Sequence, residues 1–275
     1  MVKDILINLS LTQKPDPAAD YALSIAIAFQ AHVAGIGFAF EPVIPVTVVG
    51  ISAELIDAQR REGKDAAEAA IARFDKAARA ANLSAETRLL SATMAGAADI
   101  FGRMGRRFDL SVVRQAEPEN ALLEEMIIEG ALFESGRPVL VVPYVQKEGL
   151  KLDRVVVCWD GSRTAARAVA DALPLLERAK AIDVLTVSKE RGKSDELPAA
   201  DIGHHLARHR LNVDVHRIVA PDIDVASSIL SYVADANADL IVMGGYGHSR
   251  LREFVLGGAT RGILSSMTVP TLMSH

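Results

Sequence analysis

The sequence predicts an α/β protein of two doubly wound, Rossmann-like parallel-sheet domains in tandem, each with five strands in the order 3-2-1-4-5. Three observations carry that expectation. Short runs such as Ile5-Leu6-Ile7 and Val155-Val156-Val157 are apolar throughout, which marks strands buried on both faces. Alanine-rich stretches of helical length alternate with them, and that alternation implies parallel strands joined by right-handed crossovers. The order β-α-β-α-β-α-β-α-β then occurs twice along the chain.

The first pass begins with a strand at Lys3–Leu9, a polar loop holding Pro15 and Pro17, a helix at Ala18–Phe29 and a strand at Val33–Phe40. Ile51–Asn82 is laced with opposite charges (Arg60, Arg61, Glu62, Lys64, Asp65, Glu68) and reads as a long exposed helix, with Gly63 as a point of bending. A strand at Ala85–Leu90, a helix at Ala95–Arg106, a strand at Phe108–Val113 and a proline-led strand at Arg137–Val142 complete it. The second pass matches each part: Arg154–Trp159, Thr164–Arg178, Ala181–Val187, a shorter helix at Asp195–Arg210, Val213–Val219, Ile223–Asn237, Ala238–Met243, Ala259–Met267 and Val269–Met273. The joint falls in the polar stretch Tyr144–Leu152, which gives domains at 1–145 and 152–275.

Composition limits the function classes. With 275 residues, 50% hydrophobic and 24% charged, the chain can bury a core without staples, and disorder is excluded. The single cysteine, Cys158, cannot close an internal disulfide. A net charge of −5 with no Lys/Arg block argues against a nucleic-acid surface. The apolar region Tyr21–Gly50 is interrupted by Ser24, Gln30, His32, Glu41, Pro42 and Pro45, so it reads as a buried helix and strand and not as a membrane span. Met1–Ile7 has neither the basic start nor the apolar run of a signal peptide, and the expected location is the cytoplasm.

The loop that carries chemistry follows the fourth strand of the second half. It runs from Met243-Gly244-Gly245-Tyr246-Gly247-His248 to Gly257-Gly258-Ala259-Thr260. Its glycines allow amides to approach a ligand closely. The first N–H groups of the helix from Ala259 are unsatisfied and partly positive, which suits a phosphate, and the Thr260 hydroxyl offers a further donor. In an open α/β sheet a ligand lies beyond the strand ends where the winding reverses. For the order 3-2-1-4-5 that point lies between strand one, ending at Asp160-Gly161-Ser162, and strand four, ending at Met243-Gly244. Asp160 can accept from a ribose or base there, and Val187 and Met243 can flank a flat ring.

The spacing Gly244-x2-Gly247-x9-Gly257 is similar to the glycine signature of nucleotide-binding universal stress proteins. So are Asp160-Gly161-Ser162, Ala238-Asp239-Leu240-Ile241-Val242-Met243-Gly244 and the closing Val269-Pro270-Thr271-Leu272. The chain resembles a tandem member of that family, strongly in the second half and weakly in the first. The resemblance implies a regulatory adenine-nucleotide site: Asp160 and Val187 facing adenosine, with Met243, Gly244, Gly247, Gly257, Gly258, Ala259 and Thr260 around the nucleotide and its phosphates. ATP is the expected ligand, with AMP or ADP as variants and Mg²⁺ as companion. One position departs from the pattern, because Gly258 stands where the family carries Ser or Thr. The lost hydroxyl is worth roughly 0.5–1.5 kcal/mol, or about tenfold in affinity.

In the first half, the equivalent loop Arg114-Gln115-Ala116-Glu117-Pro118-Glu119-Asn120 has no glycine and two acids, and strand one ends in Asn8-Leu9-Ser10. A degenerate domain that does not take ATP in the same way is expected there. An alternative for the whole chain is a ligand-free interaction or scaffold module of the same fold. No general base or Mg²⁺ carboxylate pair stands near the loop, so at most a slow ATP hydrolase is expected.

Plainer readings apply elsewhere. His205 and His209, four apart on a helix, lack a third ligand and read as surface residues, and His248 with Ser249 lacks an acid partner. Cys158 reads as a small buried hydrophobe, His216 as structural, Trp159 as a packing residue before it is a stacking platform, and Asp160 competes as a helix cap. The two final strands are edges, and they are expected to pair antiparallel, making the monomer a pseudo-dimer that could associate further with unidentified protein partners or a second copy.

Overall fold

A computed structural model describes residues 1–12, 15–41, 52–117, 121–188, 199–220, 222–246 and 258–275. The chain divides into two compact units, Met1–Ser135 and Gly136–His275. Both are α/β, and the tandem doubly wound architecture read from the sequence is the one observed.

The first unit holds β1 (Asp4–Asn8), α1 (Pro17–Phe29), β2 (His32–Phe40), α2 (Ala53–Ala80), β3 (Ala85–Ala92), α3 (Met94–Gly105), β4 (Leu110–Arg114) and α4 (Ala121–Glu134). Its strands are parallel in the order β3-β2-β1-β4. β1 and β4 are largely buried, as apolar residues on both faces require. β3, at the edge, alternates between exposed and half-buried positions. α2 is one helix that buries a narrow stripe, Ala67, Ala70, Phe74 and Ala78. Gly63 lies on it where a Cβ would come within 3.2 Å of the Phe40 carbonyl oxygen, so close approach to β2 accounts for that glycine.

The second unit holds β5 (Val139–Val142), β6 (Arg154–Cys158), α5 (Arg163–Leu176), β7 (Ala181–Ser188), α6 (Ala199–Arg208), β8 (Val213–Val219), α7 (Val225–Asp235), β9 (Leu240–Gly244), α8 (Ala259–Ser266) and β10 (Thr271–Ser274). Its order is β8-β7-β6-β9-β10-β5. The first five are parallel in the expected 3-2-1-4-5 arrangement. β5, the proline-led strand that closes the first sequence repeat, pairs antiparallel with β10, with Leu140 opposite Leu272. The pairing of the two final strands is therefore as expected, and β5 packs as part of the second unit.

The repeat extends to hydrogen bonds. Asp109, just before β4, accepts from the backbone N–H groups of Lys3 and Asp4 at 2.7 and 3.1 Å. Asp239, just before β9, accepts from Asp153 and Arg154 at 2.8 and 3.0 Å. In each unit one aspartate closes the start of the first strand against the start of the fourth.

Capping sets the helix starts. Asp16, Ser52, Thr93, Ser162 and Asp224 precede α1, α2, α3, α5 and α7, and each side chain accepts from the N–H three residues on. α8 begins instead on Gly258, which has φ −63° and ψ 153° and no side-chain cap.

Candidate functional site

β6 and β9 are hydrogen-bonded neighbours, with Val157 opposite Val242, so their carboxyl ends open side by side. That is the winding reversal of the second unit. The residues leaving β6 are Trp159 and Asp160. Trp159 ties back through its N–H to the Leu185 carbonyl at 2.9 Å. Asp160 is exposed at the rim and accepts from the Ser162 N–H through Oδ1 at 2.9 Å. Gly161 takes φ +75°, a turn that a side chain would strain. The cap of α5 is Ser162, whose Oγ accepts from Ala165 N at 3.1 Å, so Asp160 is not spent as that cap.

Gly244 ends β9 directly over the start of α5. A Cβ there would lie 2.6 Å from both the Ala165 nitrogen and Thr164 Oγ1, so only glycine fits without displacing the helix. The chain then turns: Gly245 donates to the Ser274 carbonyl at 2.9 Å, and Tyr246 adopts φ +48°. The Tyr246 N–H donates to Thr260 Oγ1 at 3.1 Å. Thr260 is 4% exposed, so its oxygen anchors the loop exit to the first turn of α8. Met243 is buried, while Gly258 at the helix start is half-buried.

The structure thus brings together the turn at Asp160, the strand end at Met243 and Gly244, and the helix start at Gly258, Ala259 and Thr260. Val187 lies near the end of β7, the strand beside β6, opposite Ile218. Gly247 and Gly257, like His248, Ser249, Arg250 and Arg252, lie outside the described residues. Ser162, Thr164 and Tyr246 carry no site role in the sequence, yet Ser162 caps α5, Thr164 packs under Gly244 and Tyr246 ties to Thr260. Ser162 had a signal, because a Ser two residues after an Asp and just before a helix is a cap.

Electrostatics at the rim come from two sources. The first-turn amides of α8 carry partial positive charge, and among the described residues no side chain caps them. At the end of β6, burial first and then the Asp160 carboxylate push the Cys158 thiol up to about 12. A thiol in that state is a poor nucleophile at neutral pH. Away from the rim, His205 and His209 meet edge-on with ring centroids 5.0 Å apart, and among the described residues no three His, Cys, Asp or Glu groups gather as a metal site. No described helix is long and apolar enough to cross a membrane.

Comparison with known proteins agrees with this architecture. The family model described as the universal stress protein family matches residues 151–275. The universal stress protein Slr1230 of Synechocystis sp. is 27% identical over 147 residues, covering 50% of this chain and 46% of its own length, so the chain spans about half the length of that relative. Among solved structures, a universal stress protein of Archaeoglobus fulgidus DSM 4304 is similar in fold with a TM-score of 0.73 at 19% identity, covering 98% of this chain and 95% of that one. The functionally unknown protein PA1789 of Pseudomonas aeruginosa PAO1 gives a TM-score of 0.61 at 14% identity, with 99% and 92% covered. The class is a tandem α/β protein with a glycine-bearing crevice at a winding reversal. Residues 151–275, within its second unit, match the universal stress protein family, the one that the residues of the crevice pointed to.

Proposed function

We propose that the second unit binds an adenine nucleotide, ATP foremost and AMP or ADP by the same contacts, as a regulatory ligand in a stress response. The observation that carries this reading is the uncapped start of α8 at Gly258, tied through Thr260 to the loop that leaves β9, the strand paired with β6 and followed by the Asp160 turn. A phosphate would take the place of the missing cap oxygen, accepting from the first amides of α8 at Ala259 and Thr260. Gly244 and Gly258 set no side chain in its way, and the sequence offers Gly247 and Gly257 for the same role. Asp160 would accept from ribose or base, and Val187 and Met243 would bound the ring. A Mg²⁺ ion accompanying ATP would draw most of its ligands from phosphate and water.

Isothermal titration of the full chain with ATP and AMP tests this. Saturable heat with one nucleotide per chain is expected. No heat at millimolar nucleotide, with the fold intact by circular dichroism, would leave the scaffold reading in its place. Native mass spectrometry of the freshly purified protein provides a second readout through any co-purifying nucleotide.

A further inference from the structure

The first unit has a crevice at its own winding reversal, with different chemistry. Ile7 lies opposite Val112 there, as Val157 lies opposite Val242 in the second unit. Counting along both strands puts Ser10 in the place of Asp160 and Arg114 in the place of Gly244. Arg114 is 5% exposed. Its Nη2 bonds Glu117, and its Nη1 donates to Ser10 Oγ at 3.2 Å and lies 3.8 Å from Glu124. Glu124 in turn accepts from the Glu117 N–H at 2.8 Å, and burial pushes its carboxyl up against the pull of that N–H and of Arg114. One guanidinium is shared between two carboxylates, so this rim has no positive charge left for a phosphate. Glu117 of the loop therefore acts through a buried pairing and not as a free repelling charge.

Beside this cluster is a cavity of about 660 Å³, within the ordinary range for small-molecule sites. Its walls are mainly apolar: Leu9, Phe38, Phe40, Met94 and Leu122, with the Phe38 and Phe40 rings stacked at 6.3 Å. Leu122 is 63% and Met94 39% exposed, so apolar surface stands in water there. Its polar side chains are Asn8, Ser10, Thr12 and Glu124, and the Ser10 and Thr12 hydroxyls are 3.1 Å apart.

We propose that this cavity is a ligand site for an uncharged, mainly apolar small molecule carrying a hydroxyl or amide group, and that it does not take nucleotides. The apolar walls supply the driving force. A neutral donor meets Glu124 or the Ser10 and Thr12 hydroxyls, whereas a charged ligand would be desolvated against an already paired guanidinium. This proposal stands apart from the nucleotide reading of the second unit.

The test is titration of the full chain with Nile red, an uncharged apolar fluorophore. One saturable site with blue-shifted emission is expected, undisturbed by millimolar ATP. Ala121→Trp, which fills the cavity from the first turn of α4, should weaken binding at least tenfold. Leu122→Glu and Met94→Glu, on the exposed mouth, should do the same if Ala121→Trp lowers the melting temperature. The proposal is overturned by the absence of a saturable site, by displacement with ATP, or by equal binding to wild type and folded variants.

Discussion

The Tyr232 hydroxyl of α7 donates to the carboxylate of Asp183, in the middle of β7, across 3.0 Å. Asp183 is fully buried and also accepts from Arg154 Nη1 through both oxygens, at 2.7 and 2.8 Å. One buried acid thus joins β6, β7 and α7, with the His216 ring of β8 3.8 Å away. Replacing Asp183 by Ala leaves the phenol without its acceptor, while the half-exposed Arg154 can turn to water. We expect a loss of about 1–3 kcal/mol by urea denaturation. Tyr232→Phe should cost about 1 kcal/mol.

The same pair sets a pH dependence. Burial first, and then the bond to Asp183, push the Tyr232 phenol up to about 12 from an ordinary value of 10. The folded value is the higher one, so the stability it contributes is complete below pH 10 and lost as pH rises toward 12. Wild type should lose stability more steeply over that window than Tyr232→Phe. Equal slopes would show that the phenol is not coupled to folding.

In the first unit, α3 and α4 approach so closely that a Cβ on Gly130 would lie 2.4 Å from the Ala98 carbonyl oxygen. Gly130→Ala must push the helices apart, at about 1–3 kcal/mol. Thermal melting of the variant should show the drop, and an unchanged midpoint would mean that the helices separate freely.

Gly258→Ser separates helix stability from ligand binding. Glycine and serine differ by only a few tenths of a kcal/mol at a helix start. A hydroxyl facing phosphate adds about 1 kcal/mol, or several-fold in affinity. Under the nucleotide reading, ATP binding should tighten while the melting temperature stays nearly constant. Unchanged affinity would mean that the phosphates lie elsewhere.

Cys158 should be slow to alkylate. Its raised thiol is mostly protonated at pH 8, so iodoacetamide should modify native protein far more slowly than urea-unfolded protein. Rapid native modification, followed by mass spectrometry, would show that the thiol of this half-buried residue is open to the reagent.

The fold was legible where the residues dictate one answer. Val155–Val157 and Leu240–Val242 have no polar face, so they had to be inner strands, and the repeated order then set the sheet. Around the site, the Asp160 and Gly244 turns could be placed together from topology alone. What could not be read depended on partners distant in sequence. Arg114 finds Ser10 across 104 residues, and Arg154 finds Asp183 across 29. An aspartate inside Ala181-Ile182-Asp183-Val184 was a usable signal, because an acid in an inner strand demands a donor. α4 was not bounded from the sequence, and Gly130 within it is explained by the close approach to Ala98.

The antiparallel seam between β5 and β10 governs where the polypeptide can be cut. A fragment that starts at Leu152 would leave Thr271, Leu272 and Met273, all at most 1% exposed in the intact chain, along a bare sheet margin. Such a margin is a template for self-association. Expression from Gly136 onward would keep β5 over that margin, so the sheet of the second unit reaches back beyond its recognisable sequence repeat.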